Sequence, residues 1–531
     1  MTRRSVALLL LALVLRLDLV GRPFVEYFSN REVQNAIPIR MMQEGEYAFW
    51  DLPNKFTDTY GIAEFQLIPL ILRVAYAALE AVGLARLPEP GDAEAARLYY
   101  WQIALLGRLW SLGMALGALL LLHRLLRQAW SLRAADLAVL LYGLLPYNRF
   151  HDQVFIAEGT IMWLSTLGML LLWSWSERRE GGSAHFAGAA LAFALVLLLK
   201  VSHIFIGLPI AFLILRRFGW RALRRPEVWL FGIAVLLPAA LFYKVGYGGS
   251  VEDLDTMAWN NTKAVFLDWV ATRENLLKYL ARHVWSIWTP LGAPLLALGL
   301  WRGLRAEPGP ARDLGRLFAI WLLAWAYYWF MAGGLSGHFY YQAPSVAVAA
   351  AILALGAEGL GDRLPRRLGL AALALLAVFL LGWNEVIQRW NDEGSRYWRG
   401  DWCRTIYAAG LEADARLPKD ATIVAGCRGA IQFMVFYYVH RDGFSLKVED
   451  SDQDQAAAPA RLEELRADGA TFYVAPFNYD GPKHNGVVFD RETFASLPVA
   501  VYLAEHYRLL AEGSDWLIYD LRSRSGAPLA P

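Results

Sequence analysis

Charge in this chain is crowded into the gaps between long apolar stretches, and that segregation constrains the fold more than any motif does. Apolar runs occupy residues 5–20, 99–122, 134–147, 159–175, 186–199, 204–215, 228–243, 286–300, 317–331, 343–357 and 368–383. A helix needs roughly 20 mostly apolar residues to cross the hydrocarbon core of a bilayer. Hydrophobic residues reach 56% of the 531 and charged residues only 19%, and the charges do not spread along helical faces as they would on soluble helices. A soluble class is thereby excluded. The formal net charge of +2 says little by itself. The Arg residues sit in short clusters at the ends of apolar runs, so nucleic acid, whose phosphates need a basic surface to track, is not an expected partner.

The clusters orient the runs. Arg3 and Arg4, Arg124, Arg127 and Arg133, Arg178 and Arg179, Arg216 through Arg225, Arg302 through Arg316, and Arg363, Arg366 and Arg367 fall on every second connection. The intervening short connections carry only Arg149, Lys200 or, over Gly333–His338, no Lys or Arg at all. Basic residues stay on the cytoplasmic side. The N-terminus is therefore expected in the cytoplasm and the region after Trp383 outside, after eleven spans in a cell membrane. The first run follows Arg3 and Arg4 and has no small-residue cleavage site, so it reads as an uncleaved span. Residues 65–82 are apolar enough to cross, but counting them would put every later Arg cluster on the wrong side. They read as a helix in the outer interface, within a long external loop at 21–97; a twelfth span is the competing reading.

The chain thus divides into a transmembrane module at 1–383 and an extracytoplasmic domain at 384–531. In the latter, a buried strand around Val424, an amphipathic helix at 461–468, a strand at 470–475 and a last strand at 515–521 suggest a small α/β fold. Its two cysteines, Cys403 and Cys427, lack metal-ligand spacing, and a disulfide and two thiols both stay open. No motif demands a metal ion or a cofactor.

Ionisable groups at a membrane boundary are costly and hence candidates for function. On the outer side lie Glu26, Arg31, Glu32, Arg40, Asp51, Asp58 and Glu64 in the first loop, then Arg149, His151, Asp152 and Glu158, then Lys200 and His203, then His338, Tyr340, Tyr341 and Gln342. Asp18, near the outer end of the first run, could pair with Arg22. Any one of these alone is more simply an anchor, since Lys and Arg snorkel and Tyr and Trp belt the interface. Their gathering on one side points to chemistry. Carboxylates beside cations and aromatic rings suit a phosphate-bearing lipid substrate and a general base.

The stretch from Arg31 to Gly45, Arg-Glu-Val-Gln-Asn-Ala-Ile-Pro-Ile-Arg-Met-Met-Gln-Glu-Gly, resembles the first external loop of the dolichyl-phosphate-mannose–protein mannosyltransferase-like family. That is glycosyltransferase family 39 with its bacterial relatives, among them the aminoarabinose transferases that modify lipid A. Glu64 through Pro69 resembles the next family element, and Arg108-Leu-Trp-Ser the Arg that opens the second span. Pro146 and Glu158, then Lys200 with Pro209, follow in order. His338-Phe-Tyr-Tyr-Gln-Ala-Pro344 is similar to a His-x-Tyr-Tyr-x-Leu-Pro signature, and Gly469 through Val474 also fits. The resemblance covers nearly the whole chain.

It implies a fold of the GT-C type, a polytopic α-helical membrane protein of about eleven transmembrane helices with a C-terminal extracytoplasmic α/β domain. It also implies inverting transfer of a sugar from a polyprenyl-phosphate-linked donor to a hydroxyl on a glycan, lipid or protein acceptor, without a metal. Where the family's acidic pair begins with Asp, this chain has Arg31, which leaves Glu32 as the catalytic base, with Glu64 and Asp58 as alternatives. Substrate binding falls to Arg31, Arg40, Glu64, Glu158, Lys200, His338, Tyr340 and Tyr341. Glu32 could instead serve as a helix N-terminal carboxylate. Three other readings compete: a polymerase or ligase of envelope polysaccharide, a flippase or transporter of lipid-linked glycans, and a catalytically dead relative acting as a scaffold, which the missing Asp keeps open. The long loop after the first span disfavours the first. The absence of duplicated halves and of midplane charges disfavours the second.

A topology reporter fused after Trp383 is expected to read as extracytoplasmic; a cytoplasmic signal would invert the orientation.

Overall fold

A helix lies within each of the eleven apolar runs in the computed structural model, which describes residues 2–17, 20–24, 29–45, 65–89, 92–178, 182–246, 283–331, 342–390, 404–427, 432–447, 452–477, 479–480 and 488–524, with Leu277, Leu280 and Ala281. In chain order these are α1 (Arg3–Val14), α2 (Ser29–Gln43), α3 (Leu67–Ala81), α4 (Ala93–Ala129), α5 (Leu132–Leu144), α6 (Pro146–His151), α7 (Ala157–Glu177), α8 (Ser183–Leu199) and, after a 3-10 turn at Val201–Ile206, α9 (Gly207–Phe218). Next come α10 (Pro226–Gly246), a π turn at His283–Ile287, α11 (Gly292–Arg305), α12 (Pro310–Met331), α13 (Ala343–Arg363) and α14 (Arg366–Trp390). The C-terminal part alternates α15 (Arg404–Asp414), β1 (Ile423–Cys427), α16 (Gln432–Val439), β2 (Gly443–Lys447), α17 (Asp452–Ala467), β3 (Phe472–Pro476), β4 (Tyr479–Asp480), β5 (Val488–Phe489), α18 (Arg491–Ala495), α19 (Pro498–His506), β6 (Tyr507–Glu512) and β7 (Trp516–Arg524).

The chain divides into two compact units, one of residues 1–20 and 108–387, the other of 21–107 and 388–531. Thus the long loop after α1 groups with the C-terminal part, and α4 contributes residues 93–107 to the second unit and 108–129 to the first.

In the first unit α13 is the central helix, with 78% of its apolar window buried, whereas α10 and α14 bury only 17% of theirs. Close backbone approach makes α13 central. A Cβ added at Gly299 of α11 would collide with the Ile352 carbonyl of α13, and one at Gly356 with the Leu295 carbonyl of α11. Small residues at helix crossings are what lipid-immersed bundles use, because apolar side chains gain no hydrophobic drive in lipid. Leu230, Ile233, Leu236 and Leu241 of α10 are exposed as lipid-facing side chains would be.

Ion pairs gather the Arg clusters at one end of this unit. Asp362 binds Arg133 at 2.7 Å and Arg302 at 2.8 Å, and Glu358 takes Arg302 at 3.2 Å, the Trp130 indole at 2.7 Å and the Ser131 hydroxyl. Arg216 joins Asp313 at 2.8 Å and also Glu177. The Ser131 hydroxyl caps α5 by accepting from the Ala134 amide at 2.9 Å. Ser5 of α1 donates to Asp136 of α5 at 2.7 Å.

The second unit holds a five-stranded sheet of order β2-β1-β3-β7-β6. β1 lies parallel between β2 and β3, with Val424 opposite both Phe444 and Tyr473. β7 runs antiparallel to β3 and β6. Helices α16 and α17 make the crossovers that parallel strands require, so the α/β domain read from the sequence is present. All eight residues of α16 are buried. α3 spans 15 residues, roughly 22 Å. α3 packs on α2 within this unit.

Arg16, fully buried, donates to Asp152 at 2.6 Å and to the Ala12, Gly143 and Tyr142 carbonyls, while the Tyr142 hydroxyl donates to the other Asp152 oxygen at 2.7 Å. Asp152→Ala would strand the Arg16 charge and is expected to destabilise the protein by about 3–5 kcal/mol, whereas joint apolar replacement of both partners costs far less. Denaturant unfolding in detergent measures this, and a single-variant loss below about 1 kcal/mol would contradict it.

Candidate active site

At the end of the first unit opposite the paired Arg clusters, breaks in four helices bring polar groups together. α5 stops at Leu145, whose extended backbone precedes Pro146 at the first position of α6; proline cannot extend α5 but suits a helix start. The short α6 carries Arg149 and His151, and the chain re-enters helix at Ala157, placing Glu158 in the first turn of α7. α8 ends at Lys200, which is extended at φ −160°, before the 3-10 turn that carries His203. The ammonium of Lys200 is hydrogen-bonded to Glu158, with Glu158 2% exposed and Lys200 8%. Each neutralises the other in an apolar surround, where one alone would be costly.

Aromatic and histidine groups complete this end. The Tyr147 and His151 rings stack at 3.9 Å. His283, 2% exposed, bonds Gln342 at 3.0 Å through Nε2, fixing the π turn to the start of α13. Arg16 and Asp152 lock the α5–α6 corner to α1, and Arg149 donates to the Leu15 carbonyl at 3.3 Å. The sequence-derived group of Glu158, Lys200, His151, Asp152 and His203 therefore collects on one end of one unit. Gln342 is the described member of the segment that begins at His338; His338, Tyr340 and Tyr341 lie outside the described residues, as do Glu64, Asp58, Asp51 and Asp18.

The second unit contains Glu32, in the first turn of α2 and 1% exposed. Burial pushes the Tyr438 phenol of α16 well above its ordinary value, with Tyr437 adding to the shift and the Glu32 carboxylate contributing, which places Glu32 near the α16 tyrosines. Tyr100 donates to the Tyr437 carbonyl at 2.9 Å and its ring sits 4.8 Å from Tyr437 and 5.0 Å from Tyr438. Arg31 belongs to the same helical turn.

Arg40, expected on a substrate phosphate, is 2% exposed and donates to the Phe436 and Tyr437 carbonyls at 3.2 and 3.1 Å. Those are last-turn carbonyls of α16, which have no partner inside the helix. Arg40 thus works as a cap. Just beyond α16, His440 turns into the left-handed region at φ 57° and its ring bonds Glu44. No sequence pattern signals this contact, because Glu44 and His440 are 396 residues apart. The Arg16–Asp152 pair was signalled more faintly, by a charge inside the first apolar run.

No protein-family model matches the chain, and no curated protein sequence matches it significantly. Its fold is nevertheless that of known proteins: a helical bundle with a small C-terminal α/β domain. The crystal structure of ArnT from Cupriavidus metallidurans bound to undecaprenyl phosphate aligns with a TM-score of 0.56 at 12% identity, covering 97% of this chain and 96% of that one. The archaeal oligosaccharyltransferase AglB from Archaeoglobus fulgidus, in complex with an inhibitory peptide and a dolichol-phosphate, aligns at 0.54 with 11% identity, over 99% of this chain and 75% of that one. At such identities the likeness is one of fold.

Glu44 supplies a pH test. Burial alone would raise its carboxyl, but the Arg40 charge and the His440 hydrogen bond outweigh it and hold the group below its usual 4.5. A carboxyl depressed in the folded state adds stability that is complete above the unfolded value and is lost as pH falls through the folded one. The unfolding midpoint of the whole protein is expected to drop between about pH 5 and pH 3, and less so in Glu44→Gln. An equal drop in the variant would remove Glu44 from the effect.

Proposed function

We propose that this chain is a membrane glycosyltransferase that moves a sugar from a polyprenyl-phosphate-linked donor to an acceptor hydroxyl on the extracytoplasmic face. The observation that carries the reading is the buried Glu158–Lys200 pair at the end of the bundle away from the Arg clusters, in a fold shared with solved structures that hold undecaprenyl phosphate and dolichol-phosphate. A paired ammonium keeps its charge while desolvated and so presents a fixed cation to an arriving phosphate. Fixed cations aimed at a leaving group are a main source of transition-state stabilisation, since they need no reorganisation when the charge develops.

In the proposed reaction the acceptor oxygen attacks the anomeric carbon, the bond from that carbon to the phosphate oxygen breaks, and the lipid phosphate leaves as an anion. Inversion follows from the single displacement. Glu32 takes the acceptor proton, and Arg31, which replaces the family's Asp, adds positive charge in the same helical turn. Lys200, held by Glu158, is assigned to the leaving phosphate with help from His338 and Tyr340, and Tyr341 and Glu64 stay as substrate-binding candidates. Arg40 supports α16 rather than substrate. The orientation read from the Arg clusters puts the tail of the donor in the membrane and its phosphate at the outer surface.

Release of polyprenyl phosphate by purified protein tests the roles. Glu32→Gln is expected to lower kcat by about 10²-fold or more with KM for donor little changed, as for loss of a general base. Lys200→Met is expected to lower kcat/KM by about 10²–10³-fold. Undiminished release in Glu32→Gln would assign the base to another carboxylate. Undiminished release in Lys200→Met would remove the phosphate role.

A further inference from the structure

A cavity at the Arg-rich end of the first unit takes no part in the proposed reaction. It is a half-open space of about 950 Å³ between the first turns of α14 on one side and α5, α11 and α13 on the other. Leu137, Leu295, Leu298, Leu360, Leu373 and Leu376 form its walls. The candidate active site lies at the other ends of α5 and α13. α14 is held near its far end, where the Trp383 indole donates to the Trp285 carbonyl at 2.9 Å and the two rings meet at 4.5 Å. No comparable clamp is present along the turns that line the cavity, among the described residues.

The polar rim is cationic. Arg4, Arg133 and Arg366 line the cavity against one carboxylate, Asp362. Asp362 is already shared by Arg133 and Arg302. Arg4, 64% exposed, has Asp136 at 3.5 Å. Arg366 makes no hydrogen bond or ion pair among the described residues. One end of the cavity therefore carries the Arg366 charge without a carboxylate of its own among the described residues, and the rest of the lining is apolar, mostly leucine.

Such a space inside a lipid-facing bundle is not left empty, because atoms lining a void forfeit their dispersion contacts. Along the leucine walls water finds no polar partners, of which a buried water needs two to four. The occupant must be apolar along its length and anionic at one end. We propose that the cavity binds one acidic phospholipid, with an acyl chain between α14 and the leucines and its phosphate against Arg366, flanked by Arg4 and Arg133.

Delipidated full-length protein in detergent tests this by thermal unfolding during titration with phosphatidylglycerol, phosphatidylcholine or inorganic phosphate. A ligand bound only by the folded state raises the midpoint with concentration. Phosphatidylglycerol is expected to raise it, phosphatidylcholine to do so far less, and inorganic phosphate not at all. With two Arg charges removed in Arg4→Gln/Arg366→Gln, equal stabilisation should need about thirty-fold more phosphatidylglycerol. Both side chains are exposed, so the variant's unliganded midpoint reports whether it folds. Equal responses to the two lipids, an unshifted titration in the variant, or the same gain from inorganic phosphate would each overturn the proposal.

Discussion

An unpaired charge inside an apolar bundle costs several kcal/mol, so a chain this rich in arginine folds into a bilayer only by sorting its charges to helix ends and pairing what stays inside. The transmembrane unit is organised by that sorting. At one end Asp362, Glu358, Asp313 and Glu177 each meet an arginine from another helix. At the other, Arg16 finds Asp152 and Lys200 finds Glu158. The first set consists of partly exposed pairs, which lock topology and contribute modest stability. The second set is buried, and there each partner depends on the other for its charge to be tolerated.

The same logic separates roles that sequence alone runs together. Arg40 and Lys200 both looked like phosphate ligands. In the structure Arg40 donates to the carbonyls that end α16, whereas Lys200 stands at a helix break beside a carboxylate. A guanidinium bound to main-chain oxygens supports a helix end; an ammonium paired with a buried carboxylate holds its charge in an apolar surround. Glu32 sits on a helix packed against a fully buried one, which is the kind of rigid support that a positioned base requires.

Much of the architecture was legible because the bilayer leaves helices few alternatives. Every apolar run holds a helix, and the Arg alternation anticipated which ends would meet: Arg133, Arg302 and Asp362, far apart in sequence, share one cluster. The alternating strands and helices of the C-terminal part likewise follow from local pattern. What stayed hidden depends on contacts with no sequence period. His440 and Glu44, His283 and Gln342, and the hold of Arg16 on the α5–α6 corner all join segments that are distant in the chain. The grouping of the long first loop with the C-terminal part was missed for the same reason, since apolar runs mark spans but not which polar segments fold together. Of the site, Glu158 and Lys200 were both singled out, but only the folded chain reveals them as a pair.

The central claim is that Lys200, charged and braced by Glu158, receives the phosphate of a polyprenyl carrier. Native mass spectrometry of the purified protein with polyprenyl phosphate measures that contact without any turnover. The intact protein is expected to retain the lipid through release from detergent, and Lys200→Met to lose it while Arg366→Gln keeps it. Retention of the lipid by Lys200→Met at the level of the unaltered protein would contradict the claim.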